Sequence, residues 1–309
     1  MIGQTDLEDP TSEFEILVNY FEENNNFINS ELAPAFISPE EVKKNSKNPK
    51  FHIIDIRSDS WFEYGHIKNA VNVEAANLLT HFESDINPVD YDKIVLVCYS
   101  GQSASYYTSL LRLAGYDNVY NLKWGMSSWR EDFAQNSWLK NINNTFSEKE
   151  ACAVLCTNQE KGSYPSLNTG KTEAKEILRT RLENAFATPY KEYIVKSGDV
   201  FENPNNYLIM NYWEEDKYMN GHIPGSVLYQ PFGSLSTSGE LNTLPSDKQI
   251  VVYSSTGQEA AYVVAYLNLI GYHAGNIAYG ANGFMNDILV ENGWDGFSNK
   301  EINLYPVIE

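Results

Sequence analysis

The sequence predicts an α/β protein of two domains, each a mostly parallel sheet flanked by helices. Two observations carry that expectation. Short apolar runs alternate with stretches of helical spacing, and the whole pattern occurs twice. A chain of 309 residues has room for two cores of about 150 residues each. The triplets Gly65-His66-Ile67 and Gly221-His222-Ile223 lie 156 positions apart, as do Gly101-Gln102 and Gly257-Gln258.

The elements follow in the same order in each copy. TSEFEILVNYFEEN from Thr11 and TEAKEILRTRLENA from Thr172 read as leading helices. FHIIDI and YLIMNY, then KIVLVC and QIVVYS, are short apolar runs rich in β-branched residues and read as buried strands. SASYYTSLLRLAGY and EAAYVVAYLNLIGY carry helical spacing and stop at Gly115 and Gly271, good helix-ending positions. A further strand, NVYNL, leads to a turn from Gly125 to Trp129, matched after one deletion by Gly280 to Phe284. The first domain is assigned to residues 1–145 and the second to 172–309. The linker, 146–171, is broken by Gly162, Pro165 and Gly170.

A net charge of −19 supplies no basic footprint for nucleic acid or an anionic membrane surface. No apolar run approaches the ~18 residues of a membrane span. The start, MIGQTDLEDPTSEF, has neither a basic nor an apolar leader region. The acidic, Asn-rich composition points outside the cytoplasm, periplasmic or secreted with any leader already removed; a cytoplasmic location is the alternative. Cys152 and Cys156 have the wrong spacing for a redox pair and no His or further Cys beside them for zinc. They read as structural thiols, with a local disulfide as the alternative in an oxidising compartment.

Cys98 is different. It ends a strand and opens the short loop Tyr99-Ser100-Gly101-Gln102-Ser103 before a helix. Ligands of open α/β sheets bind beyond the carboxyl ends of the strands. Backbone N–H groups of such a loop, with the positive end of the following helix, stabilise an anion. A cysteine at its base is expected to be biased toward thiolate. The competing reading is a small buried strand residue.

These residues resemble the tandem rhodanese-like sulfurtransferase family. The resemblance rests on Asp55-Ile-Arg57, Gly65-His66-Ile67, the loop Cys98 to Ser103, and Lys123-Trp124-Gly125-x-x-x-Trp129, in that order and largely repeated. It implies a Cys98 nucleophile that takes sulfane sulfur from thiosulfate or a similar small anion and passes it to cyanide or a protein thiol. Tyr99, Ser100, Gly101, Gln102 and Ser103 would hold the sulfur and the leaving anion, with Lys123 the nearest cation. Asp55 and Arg57 would support the loop. No metal or organic cofactor is implied. Where many thiosulfate-using members place Arg at the sixth loop position this chain has Ser103, and Trp61 stands where the family usually has Glu.

The second copy has Ser254, Ser255, Thr256, Gly257 and Gln258 in the equivalent loop, with Asn211 and Trp213 in place of Asp55 and Arg57. Serine cannot form a persulfide, so this copy is expected to be a non-catalytic partner. A phosphatase of related fold needs an arginine clamp where this chain has Ala104. A non-enzymatic binding or regulatory module is the stronger alternative, since fold alone does not establish catalysis. Gly170-Lys171-Thr172 imitates the end of a phosphate-binding loop but reads as a helix start. His66 and His222 read as turn residues, and His52, His81 and His273 as isolated.

Overall fold

The structure is a computed structural model that describes residues 11–145, 156 and 160–309. Each repeat builds a five-stranded, all-parallel sheet. In the first, β1 (Phe36–Ile37), β2 (Phe51–Asp55), β3 (Val71–Asn72), β4 (Lys93–Val97) and β5 (Val119–Leu122) take the order β1-β5-β4-β2-β3. In the second, β6 (Ile194–Val195), β7 (Tyr207–Asn211), β8 (Val227–Leu228), β9 (Gln249–Tyr253) and β10 (Ala274–Ile277) take the order β6-β10-β9-β7-β8. The central strands β4 and β9 are covered on both faces. Ile94 to Val97 and Ile250 to Tyr253 are therefore all buried, which explains their unbroken apolar runs.

Four helices form the layer between the sheets: α1 (Glu13–Glu23), α2 (Gln102–Leu113), α3 (Ala174–Ala187) and α4 (Gln258–Leu269). At the start of α1 the Ser12 hydroxyl accepts from Glu15 N, while the Glu15 carboxylate accepts from Ser12 N. Helices α2 and α4 pack against each other. The Ser105 hydroxyl donates to Gln258 O at 2.7 Å, and the Ser109 hydroxyl to Tyr262 O at 2.9 Å.

The leading helices cross over. Phe14 and Phe21 of α1 meet Tyr272 and Tyr266 of the second repeat, each with ring centres 6.0 Å apart. Phe186 of α3 stacks on Tyr107 of the first repeat, and Tyr190 just beyond α3 packs on Tyr106. One apolar core runs through both repeats as a result. The tails cross as well. Ile308 and His66 exchange a pair of backbone hydrogen bonds at 2.9 Å, and Asn143 donates to Asn282 O at 2.9 Å. The ends of each repeat thus pack on the other.

Smaller expectations are met differently. His52 and His81 stack at 5.9 Å rather than standing alone, and His81 contacts Asp85 at 3.1 Å. His66 and His222 each bond through Nδ1 to the carbonyl four residues earlier, Phe62 and Tyr218, at the repeated turn. The amides of Thr169 and Gly170 hold the Glu13 carboxylate at 2.7 Å, so the phosphate-loop look-alike is filled by the protein's own side chain. Cys152 lies outside the described residues, so its expected state is not part of the structure; Cys156 accepts from Leu228 N through its carbonyl.

Candidate active site

Strands β2 and β4 end level with each other, with Asp55 paired to Val97. The chain then leaves the sheet through Cys98 and closes a tight loop at Gly101, whose φ of +84° is reached cheaply only by glycine. The turn after β5 docks beneath this loop: Met126 N donates to Cys98 O at 2.9 Å and Ser127 N to Tyr99 O at 3.2 Å. Gly125, at φ +59°, allows that approach. A side chain there would meet Cys98 O at 2.5 Å and Gly101 N at 2.6 Å.

The loop folds around sulfur. Gly101 N lies 3.1 Å and Ala104 N 3.3 Å from Cys98 Sγ, and the Ser103 hydroxyl and Ser100 amide also face it. Cys98 is only 1 % exposed. Burial pushes its thiol up from the ordinary range, against the lowering effect of Ser103, Ala104, Ser100 and Gly101. The expected bias toward thiolate is therefore corrected. In the resting site desolvation outweighs the donors, because charge on sulfur must be held without water.

Asp55 and Arg57 form a buried pair under the loop. The guanidinium reaches Asp55 Oδ2 at 2.7 Å and Gly65 O at 2.7 Å, and lies 5.8 Å from the Tyr99 ring. Tyr99 itself is 36 % exposed, beside Trp61. Ser103 and Ser100 are brought to the sulfur with Gly101. Two residues expected to touch substrate are engaged elsewhere. Lys123 Nζ binds Asp295 of the second repeat at 2.7 Å. Gln102 turns away from the sulfur: its Nε2 donates to the Ser100 hydroxyl at 3.0 Å, and its Oε1 accepts from Tyr279 N of the second repeat at 2.8 Å.

Gln258 does the same in reverse, accepting from Trp124 N of the first repeat at 2.8 Å. The two loops are thus braced back to back, each by the other's glutamine. Sequence reading missed this role, and it missed Ala104 as a donor to sulfur. A helix opening directly after a six-residue loop was the available signal, since its first amides are unpaired and face inward.

In the second loop Ser254 is fully buried, and Ser255 accepts from the Trp213 indole at 3.0 Å. Thr256 accepts from Gln258 N through its hydroxyl, and Gly257 adopts φ +68° to match Gly101. The backbone is preserved while serine stands at its base where the first loop has cysteine. Among the described residues, no group of three or more His, Cys, Asp or Glu side chains is arranged to hold a metal ion. No helix of the described residues is long and apolar enough to cross a membrane.

Fold and loop together define an α/β module that presents a thiol in a cradle of backbone amides. The family model for the rhodanese-like domain matches residues 38–132 and 203–300, and the chain belongs to that family. It is similar to the thiosulfate sulfurtransferase GlpE of Shewanella oneidensis, at 35 % identity over 96 residues, covering 31 % of this chain and 91 % of that protein. Among solved structures it is similar to the rhodanese-like domain of the Anabaena protein Alr3790, at 26 % identity and a TM-score of 0.27, covering 30 % of this chain and 70 % of that one. It is also similar to the human single-domain sulfurtransferase TSTD1, at 20 % identity and a TM-score of 0.25, covering 28 % and 88 %.

Proposed function

We propose that this chain is a sulfurtransferase that carries sulfane sulfur as a persulfide on Cys98. The observation that supports this reading is the convergence of loop amides on Cys98 Sγ, at 3.1 and 3.3 Å. Such donors are worth most where negative charge appears.

In this reading the Cys98 proton passes to solvent and the thiolate attacks the outer sulfur of thiosulfate or a similar donor. The new S–S bond forms as the donor's own S–S bond breaks, and sulfite departs with that electron pair. The terminal persulfide sulfur then carries the charge that the Gly101 and Ala104 amides stabilise. Cyanide or a protein thiolate attacks that terminal sulfur and releases the Cys98 thiolate. Sulfur moves at its own oxidation level, so no external oxidant or reductant enters. With Lys123 held by Asp295, the donor engages the amides and Ser103.

A second reading, a binding module on a retired enzyme fold, is favoured by one observation: the sulfur is almost fully covered and its thiol is pushed up. Intact mass after incubation with thiosulfate or polysulfide separates the two, alongside a Cys98→Ser variant. One added sulfur atom that maps to Cys98 and leaves on adding cyanide supports transfer. No adduct on a reduced Cys98 that iodoacetamide still modifies would overturn it in favour of binding.

A further inference from the structure

The duplication maps Arg57, Ser103 and Tyr106 of the first repeat onto Trp213, Glu259 and Tyr262 of the second. Beside these residues lies a partly open cavity of about 70 Å³, lined in the second repeat by Tyr212, Trp213, Phe232 and Tyr262, with Glu259 among them. Its far wall is Ala33-Pro34, carried over from the first repeat by the crossing leading segment. The volume suits a group of a few non-hydrogen atoms.

The charges around it select a sign. Lys217, at the cavity, is bound by Glu214 at 2.9 Å, and Lys123 is bound by Asp295 at 2.7 Å. Among the described residues Glu259 makes no ion pair, so the cavity keeps one uncompensated carboxyl group. A small anion of the kind expected at Cys98 would meet Glu259 where the first loop offers Ser103. Aromatic faces around a carboxylate attract an organic cation through the ring quadrupoles. A metal ion finds too few oxygen ligands there.

We propose that this cavity binds a small alkylammonium ion, with Glu259 as its counter-charge and the four rings as its walls. The site is assembled by both repeats and does not depend on sulfur transfer at Cys98. Phe232, 53 % exposed and held at φ +66°, stands at its mouth. The groups around Glu259 are Ser254, Tyr212, Tyr262, Lys217 with its partner Glu214, Asp295 and Lys123. Burial first, then Asp295, push the Glu259 carboxyl up to about 7, while Ser254, Lys217 and Lys123 oppose the rise. Binding therefore strengthens as pH rises through that value, when the counter-charge forms.

The test is calorimetric titration of the full chain with methylammonium, ethylammonium and tetramethylammonium chloride near pH 8, with ionic strength held constant by sodium chloride. Glu259→Gln is expected to weaken binding about tenfold or more. Phe232→Ala, at a position 53 % exposed, is expected to weaken it a few-fold. Nα-acetyl-lysine methylamide, run beside ethylammonium, tells a lysine side chain of a partner from a free amine; binding of either supports the site. No binding of any of these probes, equal affinity in Glu259→Gln, or tighter binding of acetate than of ethylammonium would overturn the proposal.

Discussion

The reciprocal glutamines make a quantitative prediction, because they are not equally satisfied. Gln102 is engaged at both ends: Nε2 donates to Ser100, and Oε1 accepts from Tyr279 N and, at 3.4 Å, from Asn276 Nδ2. Gln258 accepts from Trp124 N, but among the described residues its own buried Nε2 has no partner. Replacement of either by methionine keeps the side-chain length and removes the amide. In Gln102→Met the Tyr279 amide is orphaned and Ser100 loses a donor, a cost of about 2–3 kcal/mol. In Gln258→Met the Trp124 amide is orphaned, but an unsatisfied buried NH₂ is removed as well. The two partly cancel, leaving about 0.5–1.5 kcal/mol. Urea unfolding of each variant, with the slope checked against the wild type, measures the difference. Equal losses, or a larger loss for Gln258→Met, would refute the assignment of these partners. The double variant is expected to fall short of the sum, since both amides brace one interface.

Two further outcomes follow from the loop itself. Gly125→Ala forces a left-handed residue, at about 1–2 kcal/mol, and presses a Cβ on the backbone of Cys98 and Gly101, which has no flexible end to move. A loss of at least ~2 kcal/mol in urea unfolding is expected, and a neutral effect would contradict the docking of the turn beneath the loop. Burial raises the Cys98 thiol, so less thiolate exists at a given pH than in a free cysteine. The rate of iodoacetamide modification at Cys98 should thus still be climbing above about pH 9.5, where an ordinary thiol with a pKa near 8.5 approaches its plateau. A plateau below that pH would show that the amides outweigh desolvation.

Much of the fold is legible in the sequence because its elements are locally determined. The apolar runs at 93–97 and 249–253 can be satisfied only by burial on both faces, and the offset shared by the GHI triplets fixes the repeat. Cys98 is legible because a strand, a glycine and a helix start stand in immediate succession. What stays hidden depends on distant partners. Apolar spacing in α1 and α3 shows that each buries a face but carries no record of which repeat covers it. Gln102 looks like a substrate contact because its loop neighbours face Cys98 Sγ, yet residue 102 is the first of α2, and its side chain points to the second repeat. Lys123 is the cation expected nearest the site, but Asp295, 172 residues away, holds it.

The same crossings show what the second repeat, with Ser254 at the position of Cys98, supplies to the first. The first sheet has β1 as one edge and β3 as the other, each two strands away from β4, which leads into Cys98. The loop is instead supported from behind, by α2 on α4, by Gln258 on Trp124, and by α3 on Tyr107. The tail from Asn303 to Ile308 secures the turn at Ser128 and Trp129 and the triplet at His66. Each support comes from the second repeat, and none requires Ser254 to be a cysteine. These supports need the backbone of the second loop but not a particular side chain at its base. That is the pattern seen: Gly257 and Gly280 repeat the conformations of Gly101 and Gly125, while Ser254 and Glu259 occupy the positions of Cys98 and Ser103.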